Sequence, residues 1–465
     1  MIRIFKQYVS PRKIVFITGE SALIFIAILL VTYFTLGMGV GLVGTLSLIW
    51  DKILLISFTT QFCLYFNDLY EITPSNTTLL ASKLIQSIGV TSILLAIIYY
   101  LKPDMIIGRW IFFTSLIILL LFIVSWRFLY SLVLNKKLFT ENVFILGSGE
   151  LARDMLREIK NRRDISYDVR AVIAQKGNDH NSDEEFDGLS VKYGFEDLCE
   201  YAGAEGISSI IVALDQKRGV MPYEELLSCK VQGINIIDGE SFYERIMEKI
   251  LVEKINPSWL IFSDGFEKSK TARFIKRCSG LIFSSILFLL LAPFLILVAI
   301  IIKLESPGPA LFSQERVGEN GEPFILYKFR SMRADAEKVC GPVWAEENDP
   351  RVTKVGKLIR KLRIDELPQL WNVFKGEMSF VGPRPERRFF VDQLKTTIPY
   401  YNERFSVKPG VTGWAQIKYP YGSTEKDALE KLKYDLYYIK NMSFAFDLTI
   451  LFHTVKIMLL GRGSR

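Results

Sequence analysis

The sequence predicts a membrane α plus α/β protein: four transmembrane helices, then a parallel-sheet α/β domain, then a C-terminal membrane-associated domain entered through a fifth apolar run. Three observations predict it. Half of the 465 residues are hydrophobic, yet they crowd into the first 135 positions and into one later run at 278–302. From 141 onward, short β-rich runs alternate with amphipathic ones, the pattern of βαβ units. The last third is dense in glycine, proline, arginine and paired acids, an alternation no packed core requires.

The N-terminal helices follow from length and polarity. A mean hydropathy of +0.23 is too high for an ordinary soluble enzyme of this size, and the chain is too long for one core. Runs at roughly 14–36, 47–66, 79–101 and 106–134 can each cross about 30 Å of hydrocarbon at about 1.5 Å per residue. Four crossings return the chain to its starting side. Arg3, Lys6, Arg12 and Lys13 precede the first run, and Arg127, Lys136 and Lys137 mark the last exit, so both ends are expected in the cytoplasm. The loop at Asp68 and Glu71 lacks that basic excess. Tyr99, Tyr100, Trp110 and Trp126 lie near run ends, where belt and core aromatics are equally expected. No small-residue cleavage site follows the first run, which reads as a retained anchor.

Composition also excludes chemistries. The +7 formal charge suits juxtamembrane contact with anionic lipid better than a nucleic-acid footprint. Only His180 and His453 are present, so histidine-based acid–base chemistry and His-rich metal sites are set aside. Carboxylates or lysines must act instead. Cys63, Cys199, Cys229, Cys278 and Cys340 are scattered and read as reduced and structural.

The α/β domain is expected to be Rossmann-like, with strands at Val143–Leu146, Val169–Ala174, Ser209–Leu214 and Ile234–Ile237. Between the first strand and its helix stands Gly147-Ser148-Gly149-Glu150-Leu151-Ala152, a G-x-G-x-x-A turn whose amides could receive a phosphate. The second strand, however, runs into Ala174-Gln175-Lys176, with no acid to hold a ribose hydroxyl, and no Tyr-x-x-x-Lys pair follows. A nicotinamide cofactor is therefore disfavoured, another small ligand stays open, and a structural or assembly role leads. The expected boundaries are 1–140 for the membrane helices, 141–255 for the α/β domain, 256–271 for a linker and 272–465 for the C-terminal domain.

The fifth run, 278–302, contains Pro293. Lys268, Lys270, Arg273, Lys276 and Arg277 precede it and Lys303 follows. Length alone favours a full span, since proline is tolerated in membrane helices. Basic charge at both ends suits a segment that enters and leaves on one face.

Chemistry is expected at Asp365-Glu366. Leu367-Pro368 follows, placing the acids at a helix junction. Lys357, Arg360, Lys361 and Arg363 surround them, so both are expected to stay ionised. One could attack phosphorus, since an aspartyl phosphate passes its group onward, while the other holds a hard divalent metal such as Mg²⁺. Arg384 is bracketed by Pro383 and Pro385, which restrain its backbone and present its fork to phosphate. For an isolated Asp-Glu pair, an ordinary ion-paired surface turn is the commoner explanation.

Together, Lys328-Phe329-Arg330, Arg360 before Asp365-Glu366, Gly382-Pro383-Arg384-Pro385 and Lys408-Pro409-Gly410 resemble the bacterial sugar transferases, the polyprenyl-phosphate glycosylphosphotransferases that initiate exopolysaccharide and O-antigen synthesis. The likeness covers about 267–465, and the front end is similar to the long form of that family. Val343–Arg351 and the ending Gly461-Arg462-Gly463 further resemble the exosortase-associated subgroup. The resemblance implies a phosphotransferase in which Asp365 takes a sugar-phosphate from a UDP-hexose, releasing UMP, and passes it to polyprenyl (undecaprenyl) phosphate. It implies that Glu366 helps hold Mg²⁺, and that Lys328, Arg330, Arg360, Arg384 and Lys408 bind substrate. It also implies that helix 274–303 is re-entrant, broken at a Ser-Pro pair that is Ala292-Pro293 here, with the catalytic domain on the cytoplasmic face of the inner membrane against membrane lipid. UDP-glucose and UDP-galactose are the donors the resemblance favours; homo-oligomerisation stays open. A tethered sugar-nucleotide dehydratase would need the missing acid and Tyr-x-x-x-Lys. An inactive assembly scaffold would not need the intact Asp365-Glu366.

Overall fold

A computed structural model of the chain describes residues 2–4, 7–36, 41–70, 77–135, 140–161, 165–175, 186, 189–215, 219–254, 265–266, 269–333, 351–419, 422 and 424–459. Lys6, Glu71, Lys136, Lys137, Lys176, His180, Lys268, Cys340, residues 343–350, most of the 256–271 linker and the 461–463 ending lie outside the described residues. Two compact units form, Met1–Arg3 with Tyr8–Phe242 and Ile4–Gln7 with Tyr243–Arg465.

The first unit opens with the four expected helices, Pro11–Leu36, Gly41–Phe66, Thr77–Leu101 and Arg109–Asn135. Their apolar side chains face outward as well as inward, as a lipid solvent allows. Polar groups are the exception, and several of them are paired. Arg127 meets Glu20 at 2.8 Å, with side chains 8% and 0% exposed. Trp126 Nε1 donates to the Phe16 carbonyl at 3.1 Å, and the Tyr130 hydroxyl to that of Arg12 at 2.7 Å. These bonds tie the first helix to the fourth in a medium where an unpaired polar group is costly. Trp126 is thus a packing residue, whereas Tyr100 and Trp110 are exposed.

The α/β part is a five-stranded parallel sheet ordered Ser190–Tyr193, Tyr167–Ala174, Glu141–Leu146, Ser209–Val212, Asn235–Asp238. Its central strands are buried on both faces, hence their unbroken Val/Ile/Leu runs. The strand absent from the sequence expectation, Ser190–Tyr193, is an exposed edge with one apolar residue among mostly solvated neighbours. Helix Glu150–Asn161 buries Leu151, Ala152, Met155, Leu156 and Ile159 at helical spacing. One expectation is corrected: Cys199 and Cys229 are joined in a disulfide. Helices Leu198–Ala204 and Tyr223–Val231 pack together and bring the two Cα atoms to 5.0 Å, a proximity that a separation of 30 residues does not announce.

The second unit contains the long helix Lys270–Glu305, its 36 residues N-capped by Ser269 and running on as helix through Pro293. A hairpin follows, Leu311–Val317 against Pro323–Phe329. Helices Arg388–Thr397, Glu425–Asn441 and Phe444–Leu459 then enclose a core of Phe390, Leu394, Tyr401, Phe405, Trp414, Leu436, Tyr437, Tyr438 and Phe446. Ile250 and Val252 join that core, so residues 243–254 pack with this unit. Strands Ser379–Val381 and Gly410–Thr412 pair in parallel and bring two of the singled-out motifs side by side.

Candidate active site

The acids stand on a strained turn. Thr353 caps helix Lys354–Lys361 by accepting from the Gly356 amide at 2.9 Å, and the helix ends as Arg363 adopts a left-handed φ of 53°. A non-glycine residue there is uncommon and redirects the chain abruptly. A 3-10 segment, Ile364–Gln369, starts at once and runs into helix Leu370–Lys375. Pro368 lies inside this segment, two residues before helix Leu370–Lys375, and brings no amide donor to it. Asp365 and Glu366 therefore sit at a helix junction, as expected, with Asp365 only 8% exposed.

Cations reach them from three elements. Lys328, on strand Pro323–Phe329, places Nζ 3.1 Å from Glu366 Oε1. Arg384 donates to the same oxygen at 2.8 Å. Arg360, from the preceding helix, bonds Ser331 Oγ at 2.8 Å, and its charge acts on Asp365. The Arg384 loop is itself held by backbone. Gly382 N donates to the Thr412 carbonyl and Gly410 N to that of Pro383, each at 2.9 Å, while Arg404 donates to the Arg384 carbonyl at 3.0 Å. A methyl group on Gly410 would lie 2.1 Å from Gly382 N, and one on Gly382 would lie 2.4 Å from the Lys408 carbonyl. The two glycines are present because these loops touch.

The cations do not serve both acids equally. Burial opposes ionisation of Glu366, but Arg384 and Lys328 outweigh it and hold the carboxyl well below the usual range. Asp365 is pushed up by burial and then by the Glu366 charge, which Lys328, Arg360 and Arg384 only partly offset. Lys328 is lowered by burial, an effect the carboxylates only partly reverse. The sequence expects both acids to stay ionised; their surroundings distinguish them, making Glu366 the stronger acid and Asp365 the weaker.

Lys328, Arg360 and Arg384 thus converge on the pair, whereas two other expected residues bond elsewhere. Arg330 is buried and donates to the Ile302, Ser306 and Pro307 carbonyls and to Ser306 Oγ, fastening the end of the long helix. Lys408 donates to the Gly376 carbonyl at 2.6 Å, closing the turn after helix Leu370–Lys375. Residues the sequence reading missed are Arg316, which donates to the Pro385 carbonyl at 3.1 Å and whose charge reaches Lys328, and Arg404, paired with Asp435 at 3.0 Å. Neither stands in a motif; only three-dimensional proximity singles them out. Among the described residues, no three His, Cys, Asp or Glu side chains form a metal cage. A hard cation would have Asp365 and Glu366 as protein oxygens and would depend on substrate phosphates for the remainder.

Residues 271–461 match the family described as bacterial sugar transferase, and residues 66–236 match one described as a CoA-binding domain. The chain is 42% identical over 240 residues to a UDP-N-acetylgalactosamine-undecaprenyl-phosphate N-acetylgalactosaminephosphotransferase of Aeromonas hydrophila, covering 52% of this chain and 56% of that protein. It is 32% identical over 397 residues to an undecaprenyl-phosphate glucose phosphotransferase of Komagataeibacter xylinus, covering 79% of this chain and 72% of the relative. A UDP-glucose:undecaprenyl-phosphate glucose-1-phosphate transferase of Escherichia coli is 45% identical over 188 residues, 39% of this chain and 40% of that protein. Matched along 72% of the Komagataeibacter protein, and carrying both a transferase part and a front end that match family models, the chain belongs to the bacterial sugar transferase family, in its long form.

Proposed function

We propose that this chain transfers a hexose-1-phosphate from a UDP-sugar to polyprenyl phosphate, releasing UMP, through a phosphosugar held on Asp365. The observation that carries the reading is the buried Asp365–Glu366 pair facing Lys328, Arg360 and Arg384. An Asp365 oxygen attacks the phosphorus that bears the sugar, and the bond from that phosphorus to the bridging oxygen breaks, so UMP leaves with the oxygen. A polyprenyl-phosphate oxygen then attacks the same phosphorus and displaces the Asp365 carboxylate. Both steps move charge between oxygens, so they need positioning and neutralisation more than proton transfer. Arg384 and Arg360 can fork onto phosphate oxygens, and Glu366 keeps Arg384 and Lys328 in place. Mg²⁺, held by Glu366 and Asp365 with the donor diphosphate, would neutralise the developing charge when bound.

The long helix supports a re-entrant arrangement. It is about 54 Å long at about 1.5 Å per residue, and its most apolar 18-residue stretch has a mean hydropathy of 3.1. Near its start, Lys276 meets Asp447 at 2.7 Å, and Arg277 donates to the Val373 and Phe374 carbonyls at 2.8 Å. At its other end, Glu305 accepts from the Val355 amide at 2.8 Å and Arg330 caps its carbonyls. Both ends hold the same unit, which a straight crossing would put on two sides of a bilayer. The reading places that unit at the cytoplasmic face of the inner membrane, where UDP-sugars are made. The relatives' names extend the candidate sugars from glucose and galactose to N-acetylgalactosamine.

The test is UMP release from a panel of UDP-sugars with polyprenyl phosphate and Mg²⁺. Asp365→Asn should abolish release and any trapped phosphosugar adduct, a loss of about a thousandfold or more. Full activity of that variant, or direct reaction of donor with acceptor, would remove the nucleophile; a wild-type chain inert toward every donor would favour a scaffold.

A further inference from the structure

The α/β domain matches a family described as CoA-binding, and its glycine turn stands where such folds receive a diphosphate. In this chain the turn is already occupied from within. Strand Glu141–Leu146 leads through Gly147-Ser148-Gly149 into helix Glu150–Asn161, and the neighbouring strand Ser209–Val212 leads to Asp215. These are the first and fourth strands, adjacent at the centre of the sheet where the strand order reverses. Backbone at this point is tightly apposed: Gly147 has φ +122°, and a methyl group on it would lie 2.4 Å from the Ala213 carbonyl. A methyl group on Gly149 would lie 1.6 Å from Asp215 Oδ2. The Asp215 carboxylate thus lies directly against the second glycine, over the start of the helix.

That is the position in which a ligand phosphate would meet the helix N-terminus. The local charge is also wrong for one, since Glu150 in the first turn adds a second acid. The second strand ends at Ala174-Gln175 without a ribose-binding carboxylate. The tight glycine turn survives without its ligand.

We propose that Asp215 is a built-in anion that takes the place of the cofactor diphosphate, and that the domain in this chain binds neither CoA nor a dinucleotide at the glycine turn. The glycines are retained because a carboxylate needs the same close approach as a phosphate. The module is then held together by its own side chain and is available as a purely structural or assembly element.

Hydrogen exchange on the full chain in detergent micelles, read by mass spectrometry on peptides covering 143–155, tests this. Wild-type exchange there should not change on adding millimolar CoA, NAD or inorganic pyrophosphate. Asp215→Ala should exchange about fivefold faster, the size of a lost helix-end anion, and pyrophosphate should restore the protection. Asp215→Asn, which keeps the shape, should fall between the two. Protection of wild-type 143–155 by CoA or NAD would overturn the proposal, and so would an Asp215→Ala peptide that exchanges like wild type. The wild-type measurement decides even if Asp215→Ala fails to fold.

Discussion

Gly410→Ala would put a methyl group 2.1 Å from Gly382 N and 2.4 Å from the Thr412 carbonyl. Ordinary contact is about 3.5 Å, so the two loops must part by about 1 Å or more. Both contacts are backbone, and neither can swing aside as a side chain would. The parting stretches the bonds Gly382 N to Thr412 and Gly410 N to Pro383, each 2.9 Å long. Leaving two buried donors poorly satisfied costs roughly 2–4 kcal/mol, which for a unit of this size is a melting shift of roughly 5–15 °C. The effect on rate should be larger than that on folding. Pro383 is next to Arg384, so the guanidinium 2.8 Å from Glu366 moves with the loop. A displacement of about 1 Å costs about a hundredfold in rate. The assay is UMP release at saturating donor and acceptor, beside thermal unfolding of the same sample. Gly321→Ala is the control, because nothing lies within 4 Å of its added methyl, so it tests the loss of a glycine, here one with a φ of +82°, without a steric clash. It should cost about 1 kcal/mol of local strain and leave the rate alone. If Gly410→Ala turned over within about threefold of wild type, the claim that this crossing sets the arginine would be wrong.

Arg330→Met should destabilise the second unit by about 3 kcal/mol, since it removes the bonds from a buried guanidinium to the Ile302, Ser306 and Pro307 carbonyls and to Ser306 Oγ; Lys should not rescue it, lacking the planar fork. Any fall in turnover should track that unfolding in parallel melting and rate measurements, with donor KM unchanged. Lys408→Met should lower stability by about 1–2 kcal/mol through the lost bond to Gly376, again without a change in KM; a tenfold rise in KM would restore it to substrate binding. Thr424→Ala removes the capping box of helix Glu425–Asn441 and should cost about 1 kcal/mol. Bonds from Thr424 hold the Asp427 carboxyl below its ordinary value, so its contribution is present above the usual carboxylate pKa and fades as pH falls through the lowered one. Melting curves across acid pH should show that fade in wild type and a smaller one in the variant, which keeps the bonds to Asp427 from the 424 amide and the Tyr419 hydroxyl.

The parts legible in the sequence are those where one solvent or one geometry imposes a pattern. Hydrocarbon demands unbroken apolar helices, so the membrane runs could be read directly, and a doubly buried sheet demands runs such as Val143–Leu146. Ser190–Tyr193 escaped because an exposed edge strand needs no apolar residues, and the Cys199–Cys229 bond because helix packing sets it. Within the site, Asp365, Glu366, Lys328, Arg360 and Arg384 were found as motifs and do converge. Arg330 and Lys408 looked the same in sequence, as basic residues among glycines and prolines. A cation that caps a carbonyl and one that faces a phosphate differ only in what the fold sets opposite them. Arg316 and Arg404 show the converse, holding the Pro383–Pro385 loop from positions with no local signature.

The unequal treatment of the two acids bears on which could attack phosphorus. A carboxylate bonded to two cations has its charge engaged and its lone pairs directed away from an incoming electrophile, and Glu366 Oε1 is in that state with Lys328 and Arg384. Asp365 feels the same cations at longer range and feels Glu366 as a repulsive neighbour, so its oxygens stay more basic. Greater basicity makes a better nucleophile provided the group is ionised when the donor arrives. A bound diphosphate would draw Arg384 and Arg360 toward itself, and a divalent cation arriving with it would favour the Asp365 anion. On the proposed mechanism the adjacency of the residues is functional: Glu366 would store the cations that substrate needs, and in doing so would leave Asp365 as the more reactive of the two.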